Sequence, residues 1–431
     1  MVLRILLLIT FPAAIITACA EPGPSTGPGP DAALIDPICA PSAPGISGAG
    51  QISSWSPPEP VGIHAAADAT NPNVAVRGGR IMVALESRGI AIGEPLPGYH
   101  RIYVIEKTAD GWSTPEFAGS GVGRAIEPGI EFDDAGVPHL IWGIGSAQVP
   151  AAERRPIEVW HATRTGDAWG AGTQIGRSSS VATQFARTLV RDKQGSLHAI
   201  VLSEGLQPRT APALYLHSFH DKKSTSKPIG KHINGVYPGL AATNIGLLAT
   251  FAAAFRLPGE PADVNSIFVS LSRDNGSTWE TPLRIRKAGS RPGYKPVAVE
   301  TGAGVIHLIW GRSRNSNTIP NFIEHSYSDN GECWSEPVPI SATESGAILD
   351  PILLADSRGG LHLFYFRTVG FLEPPFELVH VYFDGTQWSR PSALFNFPDM
   401  QQGFGADIGS DDSLHLVFRR NNTLFYTTGR P

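Results

Sequence analysis

The sequence predicts an all-β chain, folded as a seven-bladed β-propeller of four-stranded antiparallel blades with the last blade closed by the N-terminal strand. Two periodicities and a phase shift between them carry that prediction. A Gly-x-x-His segment, or a close variant, recurs at His139, His198, His307, His362 and His415, with gaps of 59, 109, 55 and 53 residues. The long gap is two units: its missing member is Gly246–Phe251, which lacks the histidine, and Gly79–Leu85 opens the series. Tryptophans repeat independently at Trp55, Trp112, Trp169, Trp279, Trp334 and Trp388, spaced by 57, 57, 110, 55 and 54 residues. Their double gap falls on Asp221–Pro228, which has no tryptophan. Repeats of this length with strand-like patterning read as propeller blades. The final unit, 403–431, holds only three strands, while residues 51–61 form a lone fourth strand at the other end. Pairing the two removes the sheet edges that each end would otherwise expose.

In chain order, residues 1–18 contain Arg4, an apolar run from Ile5 to Ile16 and then small residues, the layout of an export signal. Ile16-Thr17-Ala18-Cys19 resembles a bacterial lipobox, which implies that Cys19 becomes a lipid anchor and that the protein is exported and held at the cell envelope. Residues 19–50 are rich in Pro, Gly, Ser and Ala, a composition that buries no core and behaves as a tether. Residues 51–431 form the folded body. Of three cysteines, Cys39 lies in the tether and Cys333 in the body; a disulfide between them is permitted in an exported protein, and no spacing suggests a zinc site.

Across the chain, 47 glycines and 37 prolines make up nearly a fifth of the 431 residues, as many short strands joined by turns require. A net charge of -5 gives no reason to propose nucleic acid as a partner. Each unit reads as an inner strand, the Gly-x-x-His strand, a third strand such as 157–163 or 377–383, and a fourth that carries Trp and Pro.

The stretch Ser272–Trp279 has the form Ser-x-Asp-x-Gly-x-Thr-Trp and joins two apolar runs, a hairpin signal in which Gly276 takes a positive φ. It resembles the Asp-box, or BNR repeat, of sialidase-like β-propellers. A weaker copy spans Tyr327–Trp334, with Tyr at the first position and Cys at the Thr position. The resemblance implies a structural turn on the face away from a functional site. Sialidases have six blades and carry an arginine triad, an Asp acid/base and a Tyr nucleophile. Phe255-Arg256-Leu257-Pro258 is similar to their Phe-Arg-Ile-Pro motif, but it follows the second strand of the fourth unit, where the family has it before the second strand of the first.

If the Asp-box turns mark one face, the loops after each second strand and before each inner strand gather at the opposite mouth. Glu86, Arg88, Glu204, Arg256, Arg312, Arg314, Arg367, Arg419 and Arg420 follow second strands; Glu127, Tyr237, Tyr294, Asp350 and Asp407 stand near inner-strand starts. The ligand-binding candidates are Glu127, Glu204, Arg256, Arg312, Asp350, Arg367 and Arg419, since arginine forks bind carboxylate or sulfate and carboxylates bind sugar hydroxyls. Trp142 and Trp310, at the ends of second strands, are candidates for sugar stacking. The repeated histidines are expected to bond neighbouring strands or turns, with His161, His217, His325 and His380 sharing one position on the third strand, because a repeat spreads residues around a ring rather than converging them on a metal.

Two function classes follow: a tethered, monomeric recognition propeller for glycan or extracellular protein, or a sialidase-like hydrolase or lyase of anionic sugars with Glu127, Glu204 or Asp350 as acid/base. Recognition is favoured, because blade number and the displaced Phe-Arg-Leu-Pro both depart from the enzyme pattern. A plain interaction scaffold is the third option, and no cofactor or metal is implied.

Overall fold

The computed structural model describes residues 41, 52, 54–62, 69–87, 100–118, 124–145, 157–178, 188–203, 213–220, 223–230, 235–253, 266–286, 293–313, 320–342, 346–368, 374–398, 403–421 and 423–430. The described residues belong to one compact unit, which begins at Leu34. Its described residues form seven antiparallel sheets, six of consecutive strands and one that joins the N-terminal strands to the last three. Their inner strands are Thr70–Arg77, Arg124–Phe132, Leu189–Arg191, Val236–Thr243, Gly293–Glu300, Ile348–Ala355 and Phe404–Ile408. Each packs beside the next, and the last beside the first, closing a ring around a central channel.

Closure runs as the phase shift requires. Thr423–Arg430 is the third strand of blade 7, and its outer partner is the N-terminal segment: Ser54 opposite Arg430, Trp55 opposite Gly429, then Glu59 opposite Tyr426. The expected single strand is two short ones, Ser54–Trp55 and Glu59–Pro60. Pro57 and Pro58 lie between them, and neither has an N–H to continue the ladder. The Trp-less unit also forms a full blade, with Lys223–Pro228 pairing along Ala213–His220.

The tryptophans and histidines are two halves of one packing device. Trp112 meets Tyr426 of the preceding blade at 5.2 Å, Trp388 meets His325 at 5.2 Å and Trp55 meets His380 at 6.2 Å, all edge-on. These three recipients hold one repeat position, opposite Val417, Ile309 and Phe364 on their second strands. His161 holds it in blade 2, opposite Ile141, and there Phe219 of blade 3 stacks on the ring at 4.0 Å in place of the missing tryptophan. His217 departs from the expected equivalence: it lies opposite Ala199, one residue further along, so it points to the other face, and Leu216 takes the shared position.

The second-strand histidines tie the blade to its inner turn. His139, His307 and His362 hydrogen-bond His161, His325 and His380 at 2.9–3.1 Å. His198 bonds Ser218 on one nitrogen and Asp192 of the inner turn at 2.8 Å on the other.

Trp142 and Trp310 are fully buried, which removes them as stacking platforms. Both face the core between blades, and Trp310 donates its indole N–H to Glu324 at 2.9 Å.

At Ser272–Trp279 the motif side chains knit the turn themselves. Asp274 accepts from the Thr278 amide and hydroxyl, both at 2.7 Å, and the Ser272 hydroxyl accepts from the Gly276 amide at 2.7 Å. These bonds hold the Asp274 carboxyl down to a pKa of about 2. The second turn is one residue shorter than its spelling suggests. Ser328, not Tyr327, ends the third strand and accepts from Gly331, while Asn330, not Asp329, accepts from Glu332 and Cys333. Cys333 is disulfide-bonded, with its partner outside the described residues.

Candidate functional site

One backbone feature marks the mouth of the channel. Near the head of the inner strand, Asn71, Glu127, Tyr237, Lys295 and Asp350 have φ of 46°, 51°, 53°, 46° and 53°. Each sits in a break of register between inner and second strand, a β-bulge, and is followed by Pro72, Pro128, Pro238, Pro296 or Pro351. Proline suits the bulge because its missing N–H leaves no donor unpaired where the ladder is interrupted. In blade 7 the position is filled by Gly403, at φ 78°, which reaches it without strain. For the five other residues the left-handed conformation costs about 1–3 kcal/mol each. The sheets therefore present a strained ring of long polar side chains at the end where second strands finish. The Asp274 turn closes the other end, because each antiparallel pairing reverses direction.

Glu86 organises the blade 1–2 sector. At the end of its second strand it is fully buried, and its carboxylate accepts from the Glu127 amide at 2.5 Å, the Asn71 side-chain amide at 2.7 Å and His100 at 3.2 Å. The bulge of blade 2 is thus fixed by an acid of blade 1. In the blade 4–6 sector, Lys295 is ion-paired to Asp350 at 2.6 Å, each about a quarter exposed. Tyr237 and Tyr294 meet edge-to-face at 6.1 Å. Between the inner strands of blades 4 and 5, Tyr237, Gly239, Lys295 and Val297 line a small open concavity of about 20 Å³. Gly239 is required there, since an added Cβ would come within 2.8 Å of the Pro296 carbonyl. The Thr250 hydroxyl donates to that carbonyl at 3.1 Å and holds the two strands together.

The predicted arginine clamp is engaged elsewhere. Arg312 is buried and bonds both oxygens of Glu324 at 3.0 and 3.2 Å. Arg367 grips Glu377, directly opposite on the third strand, through two nitrogens at 2.6 Å. Their charges are balanced inside their own blades. Arg419 lies at the end of the blade 7 second strand, opposite Leu424. Glu204 and Arg256, with the rest of Phe255–Pro258, lie outside the described residues, as does Cys19. Of the named candidates, Glu127 and Asp350 are thus members of the strained ring.

Two further carboxylates stand deeper in the channel. Glu131 and Asp407 occupy one repeat position, opposite His139 and His415, on either side of the inner strand of blade 1. Asp407 accepts from the Val76 amide of that strand at 2.6 Å, stitching blade 7 to blade 1. It had been expected near an inner-strand start, whereas it sits towards the other face. Enclosure by protein, and then the charge of Glu131, push its pKa well above the carboxylate range. Glu131 is raised by enclosure too, against the pull of Arg191, whose guanidinium is 3.7 Å away.

Asn71, Lys295 and Glu131 were not singled out from sequence. A signal for the first two was present, since the dipeptides Asn71-Pro72, Glu127-Pro128, Tyr237-Pro238, Lys295-Pro296 and Asp350-Pro351 recur at the blade period.

No protein-family model matches the chain, and no curated protein does. Solved structures do match in shape. A protein of unknown function from Dyadobacter fermentans superposes with a TM-score of 0.53 at 11% identity, covering 88% of this chain and 99% of its own. An ulvan lyase of polysaccharide lyase family PL25, bound to a glucuronate–sulfated rhamnose oligosaccharide, gives 0.52 at 11% identity, covering 85% and 95%. A Trypanosoma rangeli sialidase in complex with sialic acid gives 0.44 at 11% identity, covering 84% of this chain and 54% of its own. At such identities the likeness is one of fold, and the fold is the seven-bladed β-propeller.

Proposed function

We propose that the protein is a surface-tethered β-propeller that recognises a glycan at the mouth of its central channel. The observation that carries this is the ring of strained residues Asn71, Glu127, Tyr237, Lys295 and Asp350. Strain retained in several blades at once, on side chains that carry hydrogen-bond donors, acceptors and aromatic rings, is more than turn geometry needs, because Gly403 meets the same need without it. Hydroxyl-rich ligands suit such a ring, since carboxylate, amide and ammonium groups together can satisfy hydroxyls that both donate and accept. The ulvan lyase of similar fold holds an oligosaccharide; at 11% identity this accompanies the reading and does not carry it. Tethering rests on the sequence: an export signal, Cys19 as lipid anchor, the tether over 19–50, and Ser272–Trp279 as an Asp-box of the distal face.

The test is binding of the purified full chain to an array of oligosaccharides, with turnover of a fluorogenic sialoside followed in parallel. Binding without turnover supports recognition. Silence on the array overturns the glycan reading and leaves an extracellular protein as partner, or a scaffold role.

A second reading, as a glycoside hydrolase or lyase, is favoured by Glu131 and Asp407. A carboxyl whose pKa is raised beside a second carboxylate is the arrangement a general acid requires. Turnover abolished by Asp407→Asn would establish it.

A further inference from the structure

We infer that the subsite between blades 4, 5 and 6 takes a neutral sugar ring through a vicinal diol, in preference to an anionic sugar. This rests on the glycan reading above and specifies it. The ion pair of Lys295 and Asp350, at 2.6 Å, places an N–H donor and a carboxylate acceptor side by side. Two neighbouring ring hydroxyls present the complementary pair, one oxygen accepting from the ammonium and the next hydroxyl donating to the carboxylate. Tyr237, partly exposed and edge-to-face with the buried Tyr294, offers the apolar face of a sugar a ring to lie against. An anionic group meets a poorer site. Its carboxylate or sulfate would face Asp350, and it could take Lys295 only by displacing that partner.

Charge elsewhere at the mouth points the same way. Among the described residues that follow second strands, Arg312 and Arg367 are each held by a glutamate of their own blade. Across the mouth, Glu127 is a further acidic residue of the ring. Among the described ring residues Lys295 is the one cation, and Asp350 balances it. A site built for uronate, sulfate or sialate needs uncompensated positive charge at its centre.

The experiment compares the purified full chain against length-matched neutral oligosaccharides (galacto-, manno- and arabino-) and anionic ones (oligoglucuronate, sialyllactose) by calorimetry. A neutral oligosaccharide is expected to bind, with affinity changing less than about threefold between ~0.05 and ~0.5 M salt. Asp350→Asn and Lys295→Gln should each weaken it about tenfold. Asparagine tolerates the left-handed backbone, so Asp350→Asn removes charge without new strain and decides the matter alone if Lys295→Gln misfolds. Tighter binding of the anionic series, or neutral binding untouched by Asp350→Asn, overturns the inference while leaving glycan recognition standing. Absence of binding to either series overturns the recognition reading itself, and the inference with it.

Discussion

Glu86 is the residue on which the mouth depends most. Its carboxylate is fully buried and accepts from the Glu127 amide, the Asn71 side chain, His100 and the Thr70 hydroxyl, so its removal takes a partner from four groups. Glu86→Ala is expected to cost about 2–4 kcal/mol, read as a shift of the urea midpoint, because orphaned buried groups lose their full desolvation energy. It should also release the bulge at Glu127 and abolish ligand binding. Asp274 contrasts with it. Exposed and hydrogen-bonded within its own turn, it should titrate near pH 2 by carboxyl NMR, and Asp274→Ala should lower Tm while leaving ligand binding unchanged, since the turn stands at the other end of the blade.

Between blades, stability resides in the plug and the histidine ladder. Trp334 is fully buried between blades 4 and 5, and Trp334→Ala should cost about 3–5 kcal/mol in the unfolding free energy through the cavity it leaves. The ladder predicts a pH dependence of definite sign. Burial lowers His217, His307 and His415 from 6.5 to about 4, and His161 and His380 to about 3. Native histidines with depressed pKa bind fewer protons than unfolded ones. Their contribution is therefore complete above pH 6.5 and is lost as pH falls from 6.5 towards 4 and 3, at up to about 1.4 kcal/mol per unit for each. Tm should fall steeply between pH ~6.5 and ~4.5, and His380→Leu should flatten the slope. A Tm independent of pH across that window would remove the ladder as the cause.

At the scale of the molecule, stability depends on the ring being shut. Thr423–Arg430 has its outer partner in residues 54–60, and Trp55 packs on Gly429 so closely that an added Cβ would lie 3.0 Å from the indole. A chain lacking residues 51–61 is expected to expose that strand edge and associate, visible as a rise in hydrodynamic radius by light scattering together with a lower Tm. Circular permutation that restores the segment after Pro431 should recover both.

The sequence by itself determined blade number, strand order and the closing partner. Those features repeat every 50 to 60 residues, and a repeat is visible without knowing any contact; the Trp-less unit was legible because its neighbours fixed its place. The X-Pro dipeptides at the inner strands are equally periodic, but Asn71 and Lys295 are not singled out from them. Tertiary structure decided what each side chain meets. Arg312 and Arg367 read as free clamps until strand register set Glu324 and Glu377 against them. Trp142 and Trp310 read as mouth residues until blade packing buried them. His217 and Tyr327 each stand one residue from the position their spelling suggested. The reason is common to all of these: along a strand the side chain alternates faces at every residue, so its partner is set by register and by the neighbouring blade, neither of which a single strand encodes.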